Sequence, residues 1–289
     1  MSVAFYPGCS LHGTGNDYAA SAQAVSEHLG LGLEELEGWV CCGSTPAHNT
    51  SALLSASLSA KNLQLAAEQS RESVVVACAA CFGRLRGASH ELRHNETLRG
   101  QVEHVLEAPA PLDVRVDHLL ELLVNGYGLE ALAEQVRRPL AGLKVACYYG
   151  CLLVRPPEVM AFDDPERPTI MDRVLAACGA ETVDWPGKTE CCGANLSLSR
   201  SDIVVTLVDR LLDQAKRAGA DVVAVACPLC QANLDVRQTD VTAQTGHRYD
   251  LPAVYFTQLV GLALGVDAAR LGLDKSFVDS RPTLARWCS

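Results

Sequence analysis

Two short stretches decide the fold, because each occurs twice. Residues 3–9 read Val-Ala-Phe-Tyr-Pro-Gly-Cys, and residues 145–151 read Val-Ala-Cys-Tyr-Tyr-Gly-Cys. Residues 74–81, Val-Val-Val-Ala-Cys-Ala-Ala-Cys, return at 223–230 as Val-Ala-Val-Ala-Cys-Pro-Leu-Cys. The chain therefore contains an internal repeat with a period of roughly 140 to 150 residues, long enough for each copy to bury its own core.

The cysteines follow this repeat. Each copy carries one cysteine, then Cys-Cys-Gly, then Cys-x-x-Cys. The first set is Cys9, Cys41, Cys42, Cys78 and Cys81. The second set is Cys151, Cys191, Cys192, Cys227 and Cys230. The chain has 13 cysteines in all, and because a protein of this length needs no disulfide staples, this density indicates metal binding.

Each copy alternates apolar strands with amphipathic helices. Short β-branched or apolar runs that end at or just before a cysteine predict buried parallel strands at 2–6, 74–77, 144–148 and 222–226. Apolar residues at helical spacing predict helices over 51–69 and 202–218. The predicted fold class is α/β, with two pseudo-symmetric repeats built on Rossmann-like parallel-sheet cores. In such sheets the chemistry gathers at the carboxyl ends of the strands.

The repeat also predicts how the chain is divided. The segments are a first cysteine-rich repeat at 1–106, a helical connection at 107–142, a second cysteine-rich repeat at 143–273 and a tail at 274–289. Prolines precede a leucine-rich segment in the connection, and glycines interrupt it.

Composition excludes several classes of partner. The chain has 289 residues, with 24 Lys and Arg against 34 Asp and Glu, so its formal charge is −10. Nucleic acid is not expected as a partner, because no basic run is present to bind phosphates. No run of 18 or more apolar residues predicts a membrane span, and the start lacks the regions of a signal peptide. We expect a cytoplasmic protein.

Five thiolates in each copy favour a site with several metal atoms. A Cys-x-x-Cys motif alone fits either zinc or a redox dithiol. Adjacent cysteines have Cα atoms only about 3.8 Å apart and diverging side chains, so a polynuclear cluster can use both, whereas tetrahedral zinc is full at four ligands. The pattern predicts a polynuclear iron–sulfur site in each half. Zinc in one of the sites is the alternative.

Three cysteines lie outside the two sets. Cys178 falls in an apolar helical segment and is interpreted as a core thiol, and Cys288 as a residue of the tail. Cys147 occupies the position that Phe5 holds in the first copy. It is either a core thiol near the second site or a contact of that site.

Four charged or titratable residues near the motifs are candidates for substrate binding. Arg155 and Lys188 follow or precede a motif cysteine closely and could bind anionic groups of a thiol, although a surface charge or an ion pair explains them as well. His12 and His48 could donate protons to leaving thiolates, and local hydrogen bonding of a loop is the alternative.

The chain resembles the cysteine-rich CCG-domain proteins, and most closely the B subunit of heterodisulfide reductase. Both five-cysteine patterns carry the resemblance, together with Cys-Pro-Leu-Cys-Gln-Ala-Asn-Leu at 227–234 and Tyr-Phe-Thr-Gln-Leu-Val-Gly-Leu-Ala-Leu-Gly at 255–265. It covers essentially the whole chain. It implies a non-cubane 4Fe-4S cluster in each set, two per chain, and a disulfide of coenzyme-type thiols that is reduced or formed between them.

Two clusters suit this chemistry, because splitting a disulfide takes two electrons and a cluster ordinarily passes one at a time. The chain lacks the Gly-x-Gly-x-x-Gly dinucleotide fingerprint and the cysteine runs of ferredoxin-type clusters, so a partner must deliver the electrons. The resemblance implies a ferredoxin-type iron–sulfur subunit (C-like) and, through it, a flavin subunit (A-like). The alternative is an electron-relay subunit of a flavin-linked dehydrogenase complex, without direct substrate contact.

Overall fold

The computed structural model describes residues 2–44 and 46–288, and each half of the chain contributes one parallel four-stranded sheet. The strands of the first half are β1 (Ser2–Tyr6), β2 (Gly32–Glu35), β3 (Ser73–Val76) and β4 (Arg115–His118). Those of the second half are β5 (Lys144–Tyr148), β6 (Glu181–Thr182), β7 (Val222–Val225) and β8 (Ala253–Tyr255). The strand orders, β2-β1-β3-β4 and β6-β5-β7-β8, are the same. The predicted α/β fold with two pseudo-symmetric parallel cores is confirmed.

Helices connect the strands and cover the sheets. The first half contains α1 (Gly8–His12), α2 (Asn16–His28), α3 (Pro46–Thr50), α4 (Ala52–Glu68), α5 (Ala79–His94), α6 (Glu96–Leu106), α7 (Leu119–Glu121) and α8 (Leu129–Glu134). The second contains α9 (Pro157–Met160), α10 (Ile170–Ala177), α11 (Ser201–Arg217), α12 (Pro228–Val236), α13 (Gln238–Thr245), α14 (Phe256–Leu264) and α15 (Arg281–Leu284). Among the described residues, no helix is long and apolar enough to cross a membrane.

The predicted elements agree with these bounds to within one residue. The strands that end at cysteines are almost wholly buried, as β-branched runs covered on both faces should be. Helix α4 begins where Ser51 accepts a hydrogen bond from the backbone N–H of Leu54, an N-cap interaction that fixes its start.

The segment predicted as a helical connection, 107–142, also contains a strand. β4 pairs in parallel with β3 and completes the first sheet at its edge. Its sequence, Arg-Val-Asp-His, alternates charged and buried residues and ends in a buried histidine, His118. An edge strand this short and charged carries little of the apolar signal that marks the central strands.

The segment predicted as a tail is docked on the body of the protein. Trp287 is buried, and its indole N–H donates to the carbonyl of Pro139 over 3.0 Å. Leu284 in α15 is fully buried. The end of the second half therefore packs against the chain that joins the halves.

The two halves share one continuous apolar core. Tyr18 in α2 stacks on Tyr255 at the end of β8, with ring centroids 4.2 Å apart. The hydroxyls of Ser21 and Thr257 lie 2.6 Å apart in the same interface. These contacts hold the two sheets in a fixed relation, and this relation brings their carboxyl ends together.

Candidate metal centre

The motif cysteines gather where the central strands end. Cys9 lies in α1, directly after β1. Cys78 and Cys227 are the N-cap residues of α5 and α12, which begin at the next residue. Pro228 takes the first helical position, as its missing N–H and fixed φ allow. The helix N-termini thus face both Cys-x-x-Cys motifs, where their dipoles favour thiolates.

The sulfurs of the first set lie in contact with one another. The Sγ atoms of Cys9 and Cys41 are 3.8 Å apart, and those of Cys42 and Cys81 are 3.3 Å apart. Cys78 and Cys81 are hydrogen-bonded through their thiols. Cys9 and Cys41 are exposed while the other three are buried, so the first site has one open side.

The second set repeats this arrangement. The Sγ atoms of Cys192 and Cys230 are 3.5 Å apart. The thiols of Cys151 and Cys191 shift each other's pKa, and so do those of Cys227 and Cys230, so these sulfurs are also neighbours. The five sequence-predicted residues of each half therefore converge.

The two sets meet. The thiols of Cys78 and Cys227 interact across the boundary between the halves, and this interaction raises the pKa of Cys78 and lowers that of Cys227. Beside them, the backbone N–H of Ala79 donates to the carbonyl of Ala226 over 3.2 Å. All ten motif cysteines thus occupy one region of the molecule, with the two sites side by side.

Strand-end tyrosines fix the segments that precede the cysteine pairs. The hydroxyl of Tyr6 donates to the carbonyl of Val40 over 2.9 Å, and Tyr148 donates to Glu190 over 2.7 Å. Each acceptor directly precedes a Cys-Cys-Gly triplet. The sequence analysis did not assign a role to these tyrosines, although they are the one aromatic position that both strand ends share.

Glycines allow the backbone to approach the sulfurs just before the first cysteine of each set. A Cβ atom on Gly8 would lie 2.9 Å from the Sγ of Cys81, and one on Gly150 would lie 3.4 Å from the Sγ of Cys230. Both residues have positive φ, 67° and 65°. A side chain at these positions would be strained and would occupy space beside the sulfurs.

The glycines after the cysteine pairs lie against neighbouring helices. Gly43 and Gly193 have φ of 71° and 78°, and a Cβ atom would meet α3 and α4 at Gly43 or α11 at Gly193, not a sulfur. Their N–H groups donate to the Sγ of the cysteine two residues earlier, over 3.4 and 3.3 Å. These glycines therefore turn the backbone and place an N–H group against a motif sulfur.

Interactions among the thiols of each set shift their pKa values in opposite directions. A hydrogen bond from Cys41 is the largest effect that lowers the pKa of Cys42, to about 3. A hydrogen bond from Cys151 likewise lowers the pKa of Cys191 to about 6. The same bonds, followed by burial, raise the pKa of Cys41 and of Cys151. Such thiolates attract metal cations, and binding of a metal would displace the remaining protons.

The donor sets fit a group with several metal atoms. Five cysteine sulfurs converge in each half, one more than a tetrahedral zinc ion accepts. Across residues 2–44 and 46–288, no three Cys, His, Asp or Glu side chains are placed to hold a single ion. Soft thiolates without oxygen ligands are the donors that iron–sulfur clusters use.

The second site opens into a small cavity. Its volume is about 60 Å³, and all five cysteines of the second set line it. Ala79 and Ala80 of the first half form part of the wall.

The four candidate substrate-binding residues occupy dissimilar positions. Lys188 is buried, and its Nζ lies 2.7 Å from Asp172 and 3.3 Å from the carbonyl of Pro168. Arg155 is exposed and pairs with Glu166 at 2.9 Å. Both cations are thus engaged within the chain, as the ion-pair alternative expects.

The two candidate histidines lie in different surroundings. His12 is exposed, lies 3.1 Å from Glu35 and contacts the edge of Trp39. His48 lies in α3 and lines a pocket beside α5. Their part in proton transfer stays a prediction.

The cysteines outside the sets are buried or peripheral. Cys147 is fully buried, and burial, followed by the nearby charge of Asp172, raises the pKa of its thiol. Burial raises the pKa of Cys178 to about 12, as for a core thiol. Cys288 is half-buried in the docked C-terminal segment.

Comparison with known proteins identifies the family. The profile of the cysteine-rich (CCG) domain matches residues 3–86 and 145–235, so the chain belongs to this family and carries its domain twice. It is 32% identical over 278 residues to the 8-methylmenaquinol:fumarate reductase membrane anchor subunit of Wolinella succinogenes, covering 96% of this chain and 97% of that one. It is also 32% identical over 236 residues to the B subunit of the ferredoxin:CoB-CoM heterodisulfide reductase of Methanosarcina mazei, covering 79% and 77%.

A solved structure shares the fold. A hypothetical protein from Helicobacter pylori superposes with a TM-score of 0.78 at 15% identity, over 96% of this chain and 52% of that chain. This chain therefore corresponds to about half of that protein. The comparisons confirm the predicted family and its coarse functional class, a redox subunit of the iron–sulfur type that belongs to a larger oxidoreductase complex.

Proposed function

We propose that the chain is the subunit of such a complex that reduces or forms a disulfide of coenzyme-type thiols. One observation carries this proposal: the two complete cysteine sets adjoin at Cys78 and Cys227, where the backbone N–H of Ala79 donates to the carbonyl of Ala226. Each would hold a 4Fe-4S cluster, of the non-cubane type that the family resemblance implies. Two such clusters, when bound, supply one electron each.

In this proposal, the residues of the chain bind the metal and form the wall of the cavity beside it. The ten cysteines would hold the metal, and Tyr6 and Tyr148 fix the segments that present the cysteine pairs. The cavity beside the second set has room for a small group. Reduction of one disulfide then consumes two electrons and two protons and releases two thiols, so both the electrons and the protons must reach this region.

The electrons come from a partner in this proposal. The curated relatives are named as subunits of reductases, and the chain has no dinucleotide fingerprint of its own. We propose a ferredoxin-type iron–sulfur subunit as the direct partner, which in turn receives electrons from a flavin subunit.

A second function is favoured by one comparison. The match to the fumarate reductase anchor subunit extends over 96% of the chain. An electron-relay subunit, whose clusters pass electrons without touching a disulfide, would need the same ten cysteines and the same contact between the sets.

Metal and sulfide analysis of anaerobically prepared protein tests the cofactor. We expect about eight iron and a similar amount of acid-labile sulfide per chain, as two four-iron clusters require. Cys192→Ser should lose about half of the iron. Cys178→Ser, a change at a buried cysteine outside both sets, should keep all of it. One zinc per site instead of iron would exclude the proposal.

Reaction with a disulfide separates the two functions. Dithionite-reduced protein is mixed anaerobically with a small disulfide, and the thiols formed are counted. The proposal expects thiol release together with oxidation of both sites, and loss of this reaction in Cys192→Ser. Full iron content without thiol release would favour the relay function.

A further inference from the structure

Two pockets lie at equivalent positions beside the two cysteine sites. The first, here called the Arg84 pocket, is lined by His48, Ser55, Gly83, Arg84, Gly87 and Glu91, among others, and has a volume of about 90 Å³. The second is lined by Leu198, Leu229, Ala232, Asn233, Val236 and Arg237, among others. Arg84 and Asn233 each follow the last motif cysteine by three residues. The repeat has thus placed one pocket next to each site.

The two pockets differ in chemistry. In the second, Leu198 is fully exposed and Val236 is 38% exposed. Asn233, which corresponds to Arg84, is already engaged: its amide N–H donates to the carbonyl of Cys192 and its oxygen accepts from Ser197, each over 2.9 Å. Arg237 is engaged as well, with Asp240 and with the carbonyl of Ser197. In the first pocket, His48 occupies the position of Leu198, and Arg84 occupies the position of Asn233.

Arg84 is half-buried and forms no hydrogen bond or ion pair with any residue in the described ranges. The contrast within the same helix is clear, because Arg86 pairs with Glu121 at 3.0 Å. Burial lowers the pKa of Arg84, while the nearby Cys42 and Glu91 raise it. A partly desolvated guanidinium without a partner is a strong donor site for an anion.

The other polar groups of the pocket are compatible with an anion. His48 and Ser55 can donate hydrogen bonds. Glu91 lies two helical turns beyond Arg84 and is exposed, so its carboxylate is solvated. The volume of about 90 Å³ equals that of about three water molecules at roughly 30 Å³ each, which suits one small anionic group.

We propose that the Arg84 pocket binds the carboxylate, sulfonate or phosphate group of the ligand that reaches the first cysteine site, and that Arg84 sets this specificity. The inference rests on the proposed function where it takes that ligand to be the disulfide. The cation that lines the equivalent second pocket, Arg237, is paired with Asp240, so only one end of the ligand needs to be charged.

Equilibrium binding to the oxidised, metal-loaded protein tests the pocket without turnover. The probes are dithiodipropionate, an anionic disulfide, the uncharged hydroxyethyl disulfide, and inorganic phosphate. The variants are Arg84→Gln and Arg84→Lys, with Arg93→Gln as a control that removes the same charge from the same helix outside the pocket. Iron content and circular dichroism show that each variant is folded.

We expect Arg84→Gln to weaken binding of dithiodipropionate and phosphate about tenfold or more, the loss of one charge-assisted pair. Arg84→Lys should be intermediate, and Arg93→Gln should resemble the unchanged protein. Binding of hydroxyethyl disulfide should be the same in all. Equal weakening of charged and uncharged disulfides, or no weakening of either, would overturn the inference.

Together with the thiol-release assay above, this binding measurement keeps the two proposals apart. If phosphate binding depends on Arg84 but no disulfide is reduced, the pocket is confirmed and the disulfide-reducing function is not. If disulfides are reduced and neither anion responds to Arg84→Gln, the function stands and the inference about the pocket fails.

Discussion

Replacement of Asp172 by Asn should destabilise the protein far more than loss of an exposed carboxylate. Asp172 lies 2.7 Å from the Nζ of Lys188, and the two side chains are only 13% and 11% exposed. Asn keeps the size of the side chain and can still accept the hydrogen bond from the hydroxyl of Tyr149, which spans 2.6 Å. The change therefore removes mainly the charge that compensates the buried ammonium.

The expected cost is about 3–5 kcal/mol, the usual penalty for breaking a buried pair from one side. At roughly 2–4 °C per kcal/mol for a chain of about this size, the midpoint of thermal unfolding should fall by roughly 6 to 20 °C. The control is Glu166→Gln. Its pair with Arg155 has a similar distance, 2.9 Å, but the side chains are 73% and 44% exposed, so the cost should stay below about 1 kcal/mol.

Urea unfolding, followed by circular dichroism under anaerobic conditions, measures the free energy of unfolding of both variants. The double variant Asp172→Leu with Lys188→Met should recover most of the loss, because no charge is left buried. The reasoning fails if Asp172→Asn costs no more than Glu166→Gln. It also fails if the double variant is less stable than Asp172→Asn alone.

Three further predictions concern the site and its surroundings. Gly43→Ala should lower the free energy of unfolding by about 1–3 kcal/mol and deplete iron from the first site only. The reason is that the new Cβ would lie 2.6 Å from the Cβ of Ala47, at a φ of 71°. Urea unfolding measures the first effect, and iron analysis measures the second. Burial lowers the pKa of His118 from 6.5 to about 4. Between these two pH values the unfolded chain binds more protons than the folded protein, so the free energy of unfolding should fall as the pH drops from about 6.5 to 4. His118→Gln should reduce this pH dependence when unfolding is measured across that range. Trp287→Ala should cost about 3–5 kcal/mol by thermal unfolding, since it empties the buried site against Pro139, and it should leave iron content unchanged.

The parts of the fold that the sequence predicts are those with strong local signals. The central strands have apolar runs that end at cysteines, and α4 and α11 have long helical periods. β2 and β6 escape prediction because they are short edge strands, mostly exposed and rich in glutamate. Their place in the sheet depends on pairing with β1 and β5, which is information about distant residues.

The same division applies to the site. The ten cysteines are evident from spacing alone, since the pattern occurs twice. The partner of Lys188 cannot be predicted from spacing, because Asp172 belongs to a helix whose position beside Lys188 depends on the packing of the second half. Arg84 escapes for the same reason: an arginine three residues after a motif cysteine resembles any surface charge until the fold shows it half-buried and unpaired among the described residues.

The duplication has a consequence that a dimer of single repeats could not reach. In a symmetric dimer both halves are identical, so equivalent pockets must have identical linings. A fused chain keeps the pairing of the two sites through Cys78 and Cys227 and lets each half change separately. Arg84 lines the pocket in one half, and Asn233 lines the equivalent pocket in the other. Unlike pockets beside paired sites suit a ligand with two unlike ends, and in a fused chain that selectivity can be altered in one half without disturbing the cysteines of either.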